Sequence, residues 1–471
     1  MAAISFTLNG ELRQESSVSP TMTALDFLRE NAGLTGTKEG CAEGDCGACT
    51  IVMVRNGADR LEAVMACLLV VGQLDGAQVV TVEGLTERGG ELESVQQAIV
   101  TQDGTQCGFC TPGFVMALYA LRHSGETVTD EVIHDALAGN LCRCTGYRSI
   151  VDAARTACSV SGKDNINSRD DSNTLPASDA YEAGGQLYFA PKTIDALIAR
   201  RVEYPDAPLL SGGTDLGLLF SKERQKFPVT IYTQNVDELR RIEEDDTSFT
   251  IGAAATYTEA LPYIEAEYAS FGVLIRRIGS RQIRNVGTIG GNIGNASPIG
   301  DTPPCLIALD SVLTLRGPNG AREISLEDFF LDYRKTDLAK GEIIENVRVP
   351  KLGNGQIFRT YKISKRYDQD ISSVIGAFRL TLENGVVTAA RIAFGGMAAV
   401  PKRAIGCEAA LTGAVWSEDA VRQAAAAIEE DFSPIDDHRA SAAYRLRVAA
   451  NLFVRLYRDL EGADDVEVMA L

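Results

Sequence analysis

Cysteine spacing constrains this chain more than any other feature. Eight of its eleven cysteines fall in two tight groups within the first third. The first group is Cys41, Cys46 and Cys49, with Cys67 further on; the second is Cys107, Cys110, Cys142 and Cys144. A C-x4-C-x2-C run followed by one distant cysteine is the ligand spacing of a plant-type [2Fe–2S] cluster. Gly40, Gly44 and Gly47 interleave with the first three thiols. They let the backbone fold closely around a cluster and aim N–H groups at its sulfurs. Thiolates select soft metals, which leaves iron–sulfur or zinc and disfavours magnesium or calcium. Structural zinc sites usually pair two short C-x2-4-C hairpins, and an x4 gap in a glycine-rich loop fits that pattern poorly.

The second group is open on spacing alone. Cys107-Gly-Phe-Cys110 with Cys142-Arg-Cys144 suits zinc about as well as iron and sulfide. Its flanks are helical. Thr111 and Pro112 read as an N-cap and first helical residue before the apolar run Phe114–Tyr119, and Asp130–Ala138 reads as a second helix. Four thiolates at one end of two helices, beside a first cluster, suggest a short electron relay.

Gln106-Cys-Gly-Phe-Cys110-Thr-Pro-Gly113 together with Asn140-Leu-Cys-Arg-Cys144-Thr-Gly-Tyr147 resembles the second cluster domain of molybdenum hydroxylases. The resemblance runs through nearly the whole chain. Within that family it resembles the small subunits of bacterial two-subunit xanthine dehydrogenases, which carry both clusters and a flavin on one polypeptide. It implies an α+β multidomain fold. Its parts are a β-grasp ferredoxin-like domain over 1–82, a helical [2Fe–2S] domain over 83–158 and a linker over 159–180. A vanillyl-alcohol-oxidase-like, PCMH-type FAD domain over 181–355 and a C-terminal α+β CO-dehydrogenase-flavoprotein-like domain over 356–471 complete it.

Two glycine-rich segments stand out beyond the linker, Leu209-Leu-Ser-Gly-Gly-Thr-Asp-Leu216 and Gly287–Asp301. Neither matches G-x-G-x-x-G and no Walker lysine motif occurs, which disfavours Rossmann and P-loop binding. Glycine-rich turns still form anion nests from successive N–H groups. By resemblance, Leu209, Leu210, Ser211, Gly212, Gly213, Thr214, Asp215 and Leu216, with Thr288, Gly291 and Asn292, hold the FAD pyrophosphate. Ser297 and Asp301 lie nearby, Asp301 at a ribitol or ribose hydroxyl; Ile344 packs by the adenine or flavin and Lys362 contacts FAD. Ile278 stands where some relatives carry an aromatic beside the isoalloxazine. Tyr367–Ile371 matches a mobile loop on the nicotinamide side, and as plain sequence it also reads as a solvated acidic turn.

Charge and pattern bound the rest. A formal net charge of −19 over 471 residues argues against nucleic acid or anionic membrane as partner. No apolar run approaches the ~20 residues of a membrane-spanning helix. Met1–Leu8 lacks a basic n-region and a cleavage site, so a cytoplasmic protein is expected, and ligand cysteines fit a reducing compartment. Cys158, Cys305 and Cys407 read as ordinary buried thiols. Leu446, Ala449, Ala450, Phe453 and Leu456 repeat at helical spacing toward a core. Only three histidines occur, and no nucleophile–base constellation is visible, so no catalytic residue is expected in this chain.

The implied function is electron transfer. Electrons from a molybdenum centre, on a large molybdopterin-binding partner subunit, pass through two [2Fe–2S] clusters to FAD and then NAD+. The resemblance implies hypoxanthine or xanthine as the substrate on the partner and an (αβ)2 heterotetramer. Another molybdenum hydroxylase of aldehyde or carbon-monoxide type, or a zinc-stabilised interaction module, are the alternative classes.

Overall fold

A two-residue turn begins the chain's architecture. Asn9 and Gly10 hold φ of 52° and 82°, the left-handed pair that matches strand twist in a tight hairpin. They join β1 (Ile4–Leu8) to β2 (Glu11–Glu15) in antiparallel register. With β3 (Thr50–Val54), β4 (Glu62–Met65) and β5 (Gln78–Val80), these strands form one sheet in the order β2-β1-β5-β3-β4. Only β1 and β5 run parallel. The computed structural model describes residues 3–56, 58, 60–86, 90–159 and 178–463. Residues 160–177 of the predicted linker therefore lie outside the described residues.

β3 is buried at all five positions because its two faces serve two cores. Ile51 and Met53 point into the sheet's own core with Phe6, Phe27 and Leu28. Val52 and Val54 point the other way, against Phe114, Leu118, Leu137 and Ile150 of the helical region. The period-two alternation of a strand is what sends neighbours to opposite cores. The predicted helix at Ala24–Arg29 is present and continues with a wider π turn to Asn31.

Four helices follow, Ser94–Thr101, Thr111–Arg122, Asp130–Leu137 and Arg148–Cys158. The second begins one residue earlier than the sequence suggests. Cys110 occupies the cap, and Thr111 spends its hydroxyl on Thr105 Oγ1 at 2.6 Å.

The described chain divides into two compact units, residues 1–237 with 279–287, and residues 238–278 with 288–471. The first unit holds the sheet and helices above. It also holds a four-stranded sheet ordered Ala180–Ala183, Gln186–Phe189, Val229–Tyr232, Leu209–Leu210. The second unit is built on a five-stranded antiparallel sheet in which Ile343–Pro350 lies between Ser248–Gly252 and Val312–Gly317. A second sheet, Gln356–Ile363, Val374–Glu383, Val386–Gly395 and Lys402–Arg403, is an antiparallel meander. Ala442–Leu460 covers it and buries Ala449, Phe453 and Leu456, with Leu446 and Ala450 packed at the margin. Phe453 meets Phe378 edge-on at 5.1 Å between centroids. Among the described residues no helix is long and apolar enough to cross a membrane.

Candidate iron–sulfur and flavin sites

The loop from Lys38 to Cys49 is shaped by three left-handed residues, Ala42, Gly44 and Gly47. Gly40 leaves room for sulfur: a Cβ there would sit 2.7 Å from Cys46 Sγ. The thiols meet in pairs, Cys41 with Cys46 and Cys49 with Cys67. Cys49 and Cys67 are each 2 % exposed. The backbone N–H groups of Glu43 and Asp45 donate to Cys41 Sγ at 3.4 and 3.3 Å. The Cys46 thiol beside it and those N–H groups outweigh burial and bring Cys41 down to about 5. Cys46 and Cys67 are pushed up by their thiol neighbours and by burial.

The second set assembles at the start of the helix Thr111–Arg122 and the turn before Arg148–Cys158. Its pairs are Cys107 with Cys144 and Cys110 with Cys142. Burial raises Cys142, but Thr145 Oγ1 at 3.2 Å and the Cys144 N–H at 3.4 Å outweigh it and hold the thiol at about 7. Cys110 is pushed up to about 12 by burial and by Cys142. Tyr147, itself left-handed at φ 69°, accepts the Cys142 N–H on its hydroxyl at 3.0 Å and sets its ring against Phe114. The first set is largely enclosed, whereas Cys107 and Cys144 are exposed.

Among the described residues, no three His, Cys, Asp or Glu side chains converge on a single-ion position. Paired thiols suit a [2Fe–2S] cluster, which four cysteine thiolates would hold. The donor chemistry and the sulfur-directed N–H groups fit that group in both sets. Every described cysteine is free of disulfides. Of the three left over, Cys305 and Cys407 are buried and Cys158 is half-buried.

The first glycine-rich segment belongs to the first unit. Its strand is only Leu209–Leu210, and the chain turns before the helix Leu216–Ser221. Ser211 is fixed from both sides, its carbonyl accepting from Gln73 Nε2 and its hydroxyl from Gln234 Nε2, each at 3.2 Å. A Cβ at Gly212 would lie 1.7 Å from the Val286 carbonyl oxygen, and Gly213 holds φ +79°. Among the described residues, the N–H groups of Gly212, Gly213, Thr214 and Asp215 donate to no protein acceptor. Four successive free donors on a glycine turn fit the pyrophosphate of a dinucleotide.

The second segment, which lies in the second unit from Thr288 onward, departs from the predicted loop. Ile289–Asn295 is a helix, because Thr288 caps it with Oγ1 accepting from Gly291 N at 3.0 Å. Gly291 is exposed, and a Cβ on it would meet only Thr288 within 4 Å. Asn292 Oδ1 accepts from Thr302 Oγ1, and Ser297 Oγ from Ile299 N. Asp301 is engaged on both oxygens, by Lys362 Nζ at 2.5 Å and by Ser372 Oγ at 2.7 Å. Ile278 and Ile344 are half-buried against the second unit's core. Tyr367 lies under the Arg277 guanidinium at 4.4 Å, and Asp370 accepts the N–H groups of Lys365 and Arg366, so the segment is a braced turn.

Sequence reasoning assigned no role to Asn140 or Gln282. Both are buried, and Gln282 Nε2 donates to Asn140 Oδ1 at 2.8 Å. Partners 142 positions apart leave no periodic signal.

Four family models match in succession. They are a 2Fe-2S iron-sulfur cluster binding domain over residues 6–72 and a [2Fe-2S] binding domain over 81–155. The FAD binding domain in molybdopterin dehydrogenase matches 179–352, and the CO dehydrogenase flavoprotein C-terminal domain 359–460. The chain is 32 % identical over 97 % of its length to xanthine dehydrogenase of Emericella nidulans, and 29 % over 89 % to aldehyde oxidase 2 of Cavia porcellus. It spans 38 % and 37 % of the length of those relatives. Among solved structures, carbon monoxide dehydrogenase from Hydrogenophaga pseudoflava aligns over 60 % of this chain and 98 % of that one. The TM-score is 0.55 and the identity 29 %. Two [2Fe–2S] domains, a molybdopterin-dehydrogenase FAD domain and a CO-dehydrogenase flavoprotein domain in one order place the chain in the molybdenum hydroxylase family.

Proposed function

We propose that this chain is the electron-transfer subunit of a xanthine dehydrogenase. It receives electrons from a molybdopterin-binding large subunit and delivers them to NAD+. The single observation that carries the relay is the join between the two cysteine sets: the Leu141 N–H donates to the Cys46 carbonyl at 3.0 Å. A candidate ligand of one set is thereby hydrogen-bonded to the residue beside a candidate ligand of the other. When bound, the clusters carry single electrons and FAD converts them to a two-electron hydride transfer. This chain's residues hold, separate and tune those groups.

In this reading Cys41, Cys46, Cys49 and Cys67 hold one cluster, and Cys107, Cys110, Cys142 and Cys144 the other. Residues 209–216, Thr288, Gly291, Asn292, Ser297, Asp301, Ile344 and Lys362 serve FAD, with Ile278 in place of an aromatic beside its ring. The working division is 1–82, 83–158, 181–355 and 356–471, in the cytoplasm, within an (αβ)2 assembly. Likeness to xanthine dehydrogenases over nearly the whole chain supports a purine-oxidising enzyme. The aldehyde oxidase relative makes aldehyde oxidation the second reading.

The test compares the purified chain with the chain plus its large subunit. The chain alone reduces dyes with NADH, and xanthine-dependent NAD+ reduction appears only on adding the partner. Xanthine turnover by the single chain overturns the division of labour; turnover of an aldehyde but not xanthine by the complex selects the second reading.

A further inference from the structure

Between the two cysteine sets lies a buried side-chain amide with every polar contact specified. Asn140 is 3 % exposed. Its Nδ2 donates to the Gly47 carbonyl at 3.1 Å and reaches Thr50 Oγ1 at 3.4 Å. Its Oδ1 accepts from Gln282 Nε2 at 2.8 Å. The amide's orientation follows from its neighbours, since the Gly47 carbonyl is an acceptor and requires the NH2 end. Gly47 stands between candidate ligands Cys46 and Cys49, and Asn140 stands two residues before Cys142. The side chain thus ties one loop to the other from inside.

Three glycines leave the space this contact occupies. A Cβ on Gly47 would come within 2.5 Å of Asn140 Nδ2 and 2.3 Å of the Gly139 carbonyl. On Gly113 it would meet the Gly47 carbonyl oxygen at 2.2 Å, and on Gly139 the Gln282 Oε1 at 2.3 Å. Two segments of the second set's region and one of the first have surrendered side chains so that their backbones close around one amide.

The next peptide carries the consequence. Leu141 N–H donates to the Cys46 carbonyl at 3.0 Å, so one hydrogen bond completes a path from Cys46 through Leu141 to Cys142. Leu141 is itself 37 % exposed, so its side chain does little to fix that peptide. The anchor is its neighbour. We propose that Asn140 is a positioning residue that holds the Cys46–Leu141 hydrogen bond and thereby sets the coupling between the two clusters. The step it serves transfers one electron from the reduced to the oxidised set, with no bond or proton exchanged. This rests on the proposed assignment of a cluster to each cysteine set.

The test uses the full chain with its clusters and two variants. Asn140→Leu keeps the size and removes both polar ends; Gln282→Leu removes only the donor that orients Asn140. Iron and sulfide content is measured first, then the spin–spin interaction between the reduced clusters by electron paramagnetic resonance. Each cluster's midpoint potential and the electron re-equilibration after flash photoreduction follow. Asn140→Leu is expected to keep both clusters, lose the spin–spin splitting, shift the second cluster's potential and slow re-equilibration by about tenfold, the scale of losing an outer-shell contact at a metal site. Gln282→Leu gives the same changes in weaker form. Unchanged splitting, potentials and rate in an iron-replete Asn140→Leu overturn the proposal. If that variant loses a cluster, unchanged values in Gln282→Leu overturn it. A wild-type chain without two distinct iron signals would instead remove the cluster assignment on which the proposal stands.

Discussion

A lysine ammonium survives inside a protein only where its charge is matched and its N–H groups are taken up. Lys362 meets that condition: its side chain is 2 % exposed, paired with Asp301 at 2.5 Å and donating to the Arg277 carbonyl at 3.2 Å. Ser372 completes the carboxylate at 2.7 Å. Removing one partner leaves the other buried and uncompensated. Lys362→Met is therefore expected to destabilise the flavin-stripped chain by about 3 kcal/mol. The double variant Lys362→Met with Asp301→Asn should cost less than Lys362→Met alone, because the orphaned charge is gone. Urea unfolding of wild type, Lys362→Met, Asp301→Asn and the double variant checks this; a double variant as unstable as the sum of both single changes would show that the pair is not coupled. The sequence singled out both residues, by likeness, as flavin contacts, yet their mutual bond was illegible. Sixty-one positions separate them, and an ion pair across that gap writes no pattern into either strand or turn. The cysteines are the opposite case, because ligand spacing within one loop is a local property.

Elements with a strong local repeat or turn signal were legible; those whose residues lack it and lean on the surrounding core were not. Asn9-Gly10 and the amphipathic repeat of residues 446–456 declared the first hairpin and the last helix. The segment after Gly287 read as a glycine-rich turn, and its helix exists because Thr288 supplies the cap and the surrounding core supplies what glycine lacks in propensity. The last helix also owes its seat to a feature outside its periodicity. Arg445 is 2 % exposed on a face where the repeat calls for an apolar residue; it donates to the Ser373 and Gly396 carbonyls and grips Asp437 with two contacts of 2.8 Å. Burial raises the Asp437 carboxyl, but the N–H groups of Ala440 and Arg439, with Arg445, outweigh it and hold it at about 2. A carboxyl lowered on folding contributes stability that is fully present above its unfolded value of about 3.9 and is lost as pH falls through its folded value. Asp437 is itself exposed, so solvent screens the pair: Asp437→Asn is expected to cost about 1 kcal/mol at pH 7, with most of the gap from wild type closing between about pH 4 and pH 2. Denaturant unfolding across that range measures it, and a gap independent of pH would mean that the carboxylate charge contributes nothing.

At the scale of the whole molecule, the modular order was legible because each part carries its own local signature: cysteine loops, capped helices, glycine turns. How the −19 formal charge acts is a property of no single module. The net charge is negative, and NADH is itself a dianion. Like charge slows encounter most when the field reaches far, and the Debye length falls from roughly 30 Å at 0.01 M salt to about 8 Å at 0.15 M. If NADH is the nucleotide this chain exchanges electrons with, kcat/KM for NADH-driven dye reduction should rise by about threefold over that interval, with kcat nearly constant, because steering acts on association. An uncharged dye as acceptor keeps the second half-reaction out of the salt dependence. Constant kcat/KM would mean that the protein's net field does not reach the nucleotide site. A fall with salt would mean that a local cluster of arginines governs capture against the net charge. Steady-state rates at five or six ionic strengths, with the flavin content verified at each, distinguish these outcomes.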